Sequence, residues 1–438
     1  MAAEPVASIR LVREVPNPVT VAEQRGLLAD LLTEAAELEH TVMAMYLFAA
    51  FGLKVWPEEG ASYRQLELIR QWKWTLTEVA RQEMEHLGIV SNLLTAIGEA
   101  PAIRARTSAV SATTSPWVTG PFELAPLSPT QVLRFACFEM PQKLDPADEA
   151  TMQQAIPGFD PSAYDGLYRL YESIRSLFTE IDERVLFVGP PSAQTSTSDI
   201  FPASIRGISL AGKPAYNVFL APVSNQATAL QAIDRVVEEG EGADVGDPNT
   251  HFAAFLGIYR ALIAELGTHP DFAPSRAVAV NPTRATRPGS TTVTDPTTVA
   301  MMELFDAAFA VLVELLASFF THTTEDEDQI QALQRAAFFP MMTTVIRPLG
   351  EMLTLLPCTT GGAERAGPSF DLPRREPLLP YPASAWKVIH VELESLRDQA
   401  ASVRHMPGLP PELAVRMQLM WENLVRVASD FALRMGIM

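Results

Sequence analysis

The sequence predicts a mostly α-helical protein, and two observations lead to that prediction. Apolar residues recur at steps of three and four over long stretches without proline, which is the period of a helix that faces a core. The hydrophobic fraction is 47% and the charged fraction is 19%, which suits a large buried core and is too apolar for a disordered chain.

The charge balance excludes some partners. The 438 residues contain 33 Lys and Arg against 52 Asp and Glu, which gives a formal net charge of −19. Binding to nucleic acid or to an anionic membrane needs a basic surface, so we predict neither partner. Cys137 and Cys358 are the two cysteines, too few for a disulfide framework or a Cys-rich metal site.

The helices are predicted from periodicity and from the prolines and glycines that interrupt it. Three prolines in the first 18 residues exclude a helix there, whereas two long helices are predicted at 24–54 and 62–97. Further helices are predicted at 129–140, 163–183, 226–239, 250–266, 297–320, 326–355, 384–406 and 411–436. Long loops are predicted at 101–130 and 187–227, the second with room for short strands, and such loops often cover a site.

These elements divide the chain into five predicted parts. They are an extended lead-in at 1–24, a helical bundle at 25–267, a linker at 268–296, an additional helical segment at 297–375 and a helical hairpin at 376–438. The start of the sequence has no apolar signal region, and charges such as Asp306 and Glu314 interrupt the longest apolar stretches. We therefore expect a cytoplasmic protein.

Three ionisable residues occupy apolar stripes of the two long helices. Glu39 is in phase with Leu32 and Val42, and a lone buried carboxylate persists only if it is paired, protonated or bound to metal. Glu83 and His86 form a Glu-x-x-His element, by which helical bundles build dinuclear carboxylate sites. Carboxylate and imidazole ligands suit iron or manganese.

These motifs resemble the first half of ferritin-like proteins such as bacterioferritin. The resemblance rests on Glu39 followed by Tyr46, and on EMEH from Glu83 to His86 in a helix that ends in IGEAP. More narrowly, ELEH at Glu39, VVEEGEGA before Thr-His-Phe, and RPLGEMLTLLP followed by AGPSF look like the ferritin-like family associated with iminophenyl-pyruvate dimer synthases. The resemblance covers residues 25 to 375 and implies a ferritin-like four-helix bundle with long loops and additional C-terminal helices.

The remaining ligands are harder to find, because no second clean Glu-x-x-His occurs. Glu172 is the candidate on the third helix. On the fourth, steps of four from Ile233 lead to Glu241, and His251 follows if GEGADVGDP loops out. The predicted metal and catalytic residues are Glu39, Glu83, His86, Glu172, Glu241 and His251, for two ions or for one if the fourth helix fails to supply its pair.

Each assignment has a simpler alternative. Glu39 could be a paired core carboxylate, and Glu83 with His86 a surface pair. Glu172 could be a helix charge or a tyrosine partner, and Glu241 and His251 a loop residue and a capped histidine. His40, next to Glu39 but about 100° around the helix, is expected to be structural. Tyr46, Tyr168 and Tyr171 are expected to be core aromatics.

The resemblance implies a non-haem di-iron, or manganese, oxidase or oxygenase. It would act with O₂ or peroxide on a small organic substrate, plausibly derived from an amino acid, in bacterial specialised metabolism. We also expect an apolar pocket at the metal site, lined partly by 101–130 or 187–227. A homo-oligomer or a biosynthetic partner enzyme is possible. The alternatives are a metal-handling or peroxide-detoxifying protein and a non-catalytic scaffold, because one fold serves several functions.

Overall fold

A computed structural model describes most of the chain. The described residues are 20–103, 117, 121–161, 167–197, 209–210, 213–214, 218–240, 245–320, 325, 329–330, 333, 340–372, 378 and 381–437. The helices of eight or more residues within them are α1 Val21–Phe51, α2 Tyr63–Ala96, α3 Pro129–Phe138, α4 Pro146–Ala155, α5 Leu167–Glu180, α7 Gln226–Gly240, α8 His251–Thr268, α9 Pro296–Ser318, α11 Pro382–Val403 and α12 Pro411–Arg434.

Short elements complete the architecture. Two short helices are α6, Glu183–Leu186, and α10, Arg347–Leu353, and the second follows a π-helical turn at Met341–Ile346. Strands β1, Ser209–Leu210, and β2, Lys213–Pro214, pair antiparallel, whereas β3, Pro282–Thr283, and β4, Thr291–Thr292, pair parallel. The protein is therefore mostly α, as the sequence predicts. None of the described helices is both long and apolar enough to cross a membrane.

The two longest helices, α1 and α2, run antiparallel along each other. Each begins with a capping box, in which Thr20 or Ser62 accepts a hydrogen bond from the third helical residue and that residue's side chain bonds back. Arg25, near the start of α1, donates to the carbonyl oxygen of Ile97 at the end of α2 (2.7 Å), which fixes the antiparallel pairing. Both helices are buried in their middle turns, where Glu39, Glu83 and His86 lie.

The other half of the bundle is made of helices in two pairs. α3 and α8 pack against the C-terminal half of α1, where the rings of Tyr46, Phe135 and Phe255 lie 4.7–5.3 Å apart. α5 and α7 pack at the other end, where Gln226 donates to the carbonyl oxygen of Phe178 (2.9 Å). Along the chain, α3 and α5 together take the place of a third helix, and α7 and α8 together take the place of a fourth. Each of these composite helices is interrupted at the level of Glu39 and Glu83.

The helices after residue 295 pack onto this bundle and onto one another. α9 is buried along most of its length, and α11 and α12 form a hairpin with buried apolar faces. α10 packs against the end of α1, where a Cβ on Gly350 would lie 2.5 Å from the ring of Phe51. The five-part division of the chain stays a prediction.

Some predictions of local structure differ from the fold. α4 falls where the sequence analysis placed a loop, because Met152 alone in this helix is buried and its apolar periodicity is weak. The predicted helix at 326–355 is described continuously only from residue 340, and there it is π-helical before it becomes α-helical. The short β1–β2 pair lies inside the predicted loop at 187–227.

Candidate metal centre

Three buried ligands from α1 and α2 meet at the centre of the bundle. Glu39 is 1% exposed, Glu83 is 1% exposed and His86 is 2% exposed. The Nδ1 atom of His86 lies 3.1 Å from Glu83 Oε2 and 3.7 Å from Glu39 Oε2. One ligand atom from each residue lies within 4.8 Å of the others, which is the spacing of ligands around one ion.

A second group uses the opposite oxygen of Glu83. His251 Nδ1 lies 2.8 Å from Glu83 Oε1 and 3.5 Å from Glu139 Oε2. His251 is the first residue of α8, and Glu139 is the residue that ends α3. All three side chains are buried, and they again offer ligand atoms within 4.8 Å of one another.

Glu83 therefore belongs to both groups and faces one histidine with each of its oxygens. This is the arrangement of a carboxylate that bridges two metal ions. Metal–ligand distances of about 2.0–2.2 Å place neighbouring ligand atoms about 3 Å apart, which the observed separations approach.

The hydrogen bonding of the same atoms tests whether a metal fits. Glu39 Oε2, Glu83 Oε1 and His251 Nδ1 are buried and form no hydrogen bond of acceptable geometry. Glu39 Oε2 instead faces His86 Nδ1, and Glu83 Oε1 faces His251 Nδ1. Buried polar atoms in native proteins are normally hydrogen-bonded, so these pairs are a fit for a bound cation. The donor set of oxygens and imidazole nitrogens suits iron or manganese.

Two tyrosines orient the outer carboxylates. Tyr171, on α5, donates a short hydrogen bond to Glu39 Oε1, and Tyr46, on α1, donates to Glu139 Oε1 at 2.5 Å. Each hydroxyl occupies one carboxylate oxygen and leaves Oε2 directed at the neighbouring histidine. The predicted core aromatics Tyr46 and Tyr171 thus also hold the proposed ligands in place.

Burial and the close approach of several carboxylates shift the pKa values of the side chains at the centre. Burial raises the pKa of Glu39 to about 7, although the nearby His86 acts in the opposite direction. Burial alone would lower the pKa of His251, but Glu83 and Glu139 raise it to about 9, and the neighbouring carboxylates likewise raise the pKa of His86. The crowded carboxylates thus favour positive charge between them, and a bound metal ion would take the place of the protons on the histidines.

The structure thus brings four of the six predicted residues together: Glu39, Glu83, His86 and His251. Glu172 is on the exposed face of α5, because the buried face is formed by Leu170, Tyr171 and Ile174. Glu172 is therefore not part of either group, and the third carboxylate that the two groups contain is Glu139. Glu241 lies outside the described residues.

Two signals in the sequence could have located residues that were missed. Glu139 follows Val132 and Phe135 by steps of three and four, so it continues the buried stripe of α3 at the residue that caps the helix. On α7 the buried residues are Ala229, Ile233, Val236 and Gly240, and Glu239 lies beside this stripe, three residues after Val236. The predicted step of four through Val237 instead pointed to Glu241.

Residues around the centre have structural roles. His40 is buried, lies 3.2 Å from the carbonyl oxygen of Ile103 and packs on Phe309, as expected for a structural histidine, and burial lowers its pKa to about 4.

A cavity of about 430 Å³ lies at the far end of α1, lined by residues such as Lys54 and Arg276. That cavity is about 18 Å along the helix axis from Glu39, so the expected pocket at the metal site stays a prediction.

Comparison with known proteins identifies the family. Residues 32–260, more than half of the chain, match the ferritin-like family. This chain belongs to the ferritin-like family. The matched region contains both ligand groups of the proposed centre.

Two curated relatives extend the match over almost the whole chain. Dichlorochromopyrrolate synthase from Lentzea aerocolonigenes is 28% identical over 94% of this chain, and 2-imino-3-(indol-3-yl)propanoate dimerase from Chromobacterium violaceum is 24% identical over 92%. These alignments cover 41% and 40% of the relatives, so the chain spans about two fifths of their length. A crystal structure of a ferritin-like protein from Caulobacter vibrioides covers 80% of this chain and is itself covered completely, with 17% identity and a TM-score of 0.44.

Proposed function

We propose that this ferritin-like chain is a non-haem dimetal oxidase or oxygenase that acts on a small organic molecule with O₂ or peroxide. The observation that carries the proposal is Glu83, whose two oxygens face His86 and His251 in two three-ligand groups. Two ions side by side, held by a shared carboxylate, would supply two adjacent sites of electron transfer to an oxidant. Iron is the ion we favour, and manganese would fit the same donors.

Different side chains of the proposed centre would bind each of the two ions. Glu39 and His86 would bind one, Glu139 and His251 the other, and Glu83 would bind both. Tyr46 and Tyr171 fix the outer carboxylates, and the apolar packing around them excludes water. Three carboxylates neutralise three of the four positive charges of two divalent ions, so the centre would retain affinity for an anionic ligand.

The substrate class comes from the names of the relatives. The first name contains dichlorochromopyrrolate and the second contains 2-imino-3-(indol-3-yl)propanoate, and both compounds are small organic acids. The compound in the second name is a 2-imino acid of the kind that derives from an amino acid. We therefore propose a 2-imino acid, or a similar amino-acid-derived acid, as the substrate. A cytoplasmic location and the absence of nucleic-acid partners remain our predictions.

The competing function is metal handling, and it makes a different prediction about iron. A storage or detoxifying protein oxidises many ferrous ions per chain without an organic substrate, whereas the proposed enzyme would oxidise at most the ions that it binds. Ferritin-like bundles serve both purposes, so the fold does not decide between them.

The test uses anaerobically iron-loaded protein, mixed with O₂ or peroxide and with a 2-imino acid generated from an aromatic L-amino acid by an added oxidase. We expect an oxidised product, detected by mass spectrometry, that is absent with Glu83→Ala under the same conditions. The same product yield from wild type and Glu83→Ala would contradict the proposal. Continued oxidation of ferrous iron in large excess over the chain, without organic substrate, would favour metal handling.

A further inference from the structure

The two histidines of the proposed centre face different residues on the side away from the metal. His86 Nε2 lies 3.4 Å from Glu239 Oε2, whereas His251 Nε2 lies 3.3 Å from the amide oxygen of Gln82. Both histidines direct Nδ1 toward Glu83. The two groups therefore have similar proposed ligands but different residues next to Nε2 of the histidine. That residue is a carboxylate for His86 and a neutral amide for His251.

Glu239 is held in place by Arg235. One nitrogen of the guanidinium donates to Glu239 Oε1 at 2.5 Å, and another donates to Glu85, which is 1% exposed. The plane of Arg235 also stacks on Phe219, 4.6 Å from the ring centroid. Arg235 thus fixes the Oε1 atom of Glu239 and leaves Oε2 directed at His86.

The distances also separate Glu239 from the ligands. One atom each from Glu39, Glu83 and His86 lies within 4.8 Å of the others, and Glu239 is not in that group. Its contact is with Nε2, whereas the other carboxylates are near Nδ1. Glu239 Oε2 and His86 Nε2 are both buried, and neither forms a hydrogen bond of acceptable geometry among the described residues. Glu239 therefore lies on the side of His86 that faces away from the proposed metal position.

We propose that Glu239 and Gln82 are positioning residues that make the two metal positions unequal, with the His86 position binding metal more tightly than the His251 position. With Nδ1 bound to metal, His86 Nε2 would carry the ring proton, and the buried oxygen that it faces is Glu239 Oε2, 3.4 Å away. A carboxylate that accepts from the far nitrogen of a ligating histidine fixes the tautomer and increases the electron density at the ligating nitrogen. A neutral amide fixes the tautomer with a weaker effect, because hydrogen bonds to ionised acceptors are about twice as strong. This inference rests on the proposed metal centre.

The experiment isolates each position before changing its support. In a His251→Ala chain only the His86 position remains, and Mn²⁺ binding to it is measured by calorimetry with and without Glu239→Gln. In a His86→Ala chain only the His251 position remains, and the change is Gln82→Glu. Asp234→Asn is the matched control, since Asp234 is on the same helix as Glu239 but pairs with Arg175 on α5.

We expect Glu239→Gln to weaken Mn²⁺ binding by about 10–100-fold, the usual effect of losing such a partner, while one ion per chain still binds at saturation. Gln82→Glu should tighten binding at the other position, and Asp234→Asn should change neither. An unchanged dissociation constant with Glu239→Gln would overturn the inference. Complete loss of binding would also overturn it, because Glu239 would then be a ligand. Wild type that binds no Mn²⁺ would instead contradict the proposed function itself.

Discussion

Glu83 is the single residue on which the proposed centre depends most. It is buried on α2, and its two oxygens contact His86 and His251. Coulomb attraction from these histidines holds the pKa of Glu83 below its ordinary value, although burial and the charge of Glu139 act in the opposite direction. Burying a carboxylate next to a second carboxylate costs free energy, and a bound cation would offset that cost.

Removal of individual ligands should separate the two positions. Glu83→Ala should lose both ions, because each three-ligand group loses the carboxylate they share. His251→Ala should lose one ion and keep the other. Metal content after dialysis against Mn²⁺, measured by elemental analysis, checks both outcomes.

The matched control for these variants is His269→Ala. His269 is half exposed and contacts Glu265, away from the centre. It should leave the metal content unchanged. If His269→Ala removed as much metal as His251→Ala, the ligand assignment would be wrong.

Asp306 gives a pH dependence that does not involve the metal. It is buried on α9, accepts from Ser369 (2.6 Å) and contacts Arg284 (3.2 Å), and burial raises its pKa to about 7. The folded protein then binds a proton that the unfolded chain releases near pH 4. Its contribution to stability is present below about pH 4 and is lost as the pH rises through about 7.

Asp306→Asn should remove that pH dependence. The stability of the variant relative to wild type should increase from pH 5.5 to pH 8, as measured by urea unfolding. Glu303→Gln is the control, because Glu303 also contacts Arg284 but is exposed. A difference between Asp306→Asn and wild type that stays constant over this range would contradict the assignment.

At the scale of elements, the informative feature is where the helices stop. α3 ends at Glu139, α7 ends one residue after Glu239, and α8 begins at His251, so three residues of the centre lie at interruptions. α1 and α2 are continuous and carry Glu39, Glu83 and His86 in regular stripes. The continuous helices provide one ligand group, and the interrupted helices complete the other.

This difference explains which parts could be predicted from sequence. Periodicity located the long helices and the three proposed ligands on them, because a charged residue in an apolar stripe is conspicuous. Glu139 is the last position of its stripe, with polar Gln142 and Lys143 beyond it, so it is less conspicuous than a charge inside an apolar run. Glu239 follows Val236 by a step of three that a repeated step of four misses. α4 was missed although Asp145 and Pro146 are a good helix start, since this helix buries almost nothing.

The connection between α2 and the segments around Thr195 and Ala221 depends on Asn92. Its amide donates to the carbonyl oxygens of Thr195 (2.8 Å) and Ala221 (3.1 Å), and its side-chain oxygen accepts from Thr195 N–H (2.9 Å). Asn92→Ala would leave these buried backbone groups without partners. We expect it to lower the free energy of unfolding by about 2–4 kcal/mol, measured by urea denaturation.

Ser91→Ala is the control for Asn92→Ala. Ser91 is equally buried, but its hydroxyl donates only to the carbonyl oxygen of Leu87 in its own helix (2.8 Å). Its loss should cost less than about 1 kcal/mol. Equal effects of the two substitutions would show that Asn92 does not hold the two segments to α2.

At the scale of the whole molecule, the bundle carries additional helices that pack on it. The apolar faces of α9, α11 and α12 are buried, so these helices share the core with the bundle. The chain also matches its curated relatives over about two fifths of their length, at 28% and 24% identity. The activity of those longer proteins is therefore a guide to this chain only through the residues that form its own centre.

Metal binding should stabilise the whole fold, because the ligands come from α1, α2, α8 and the end of α3. A ligand that binds only the folded state adds about 2.7 kcal/mol at 100 times its dissociation constant. The thermal midpoint should therefore rise with Mn²⁺ and fall with a chelator. In Glu83→Ala the midpoint should not respond, and an equal response there would place the stabilising ion elsewhere.

Anomalous X-ray diffraction from crystals grown with Mn²⁺ tests the proposed centre most directly. We predict two peaks inside the bundle on either side of Glu83, one between Glu39 and His86 and the other between Glu139 and His251. Each peak should lie about 2.0–2.3 Å from its ligand atoms. No peak at Glu83, or peaks confined to acidic residues on the surface, would contradict the assignment of a dimetal centre.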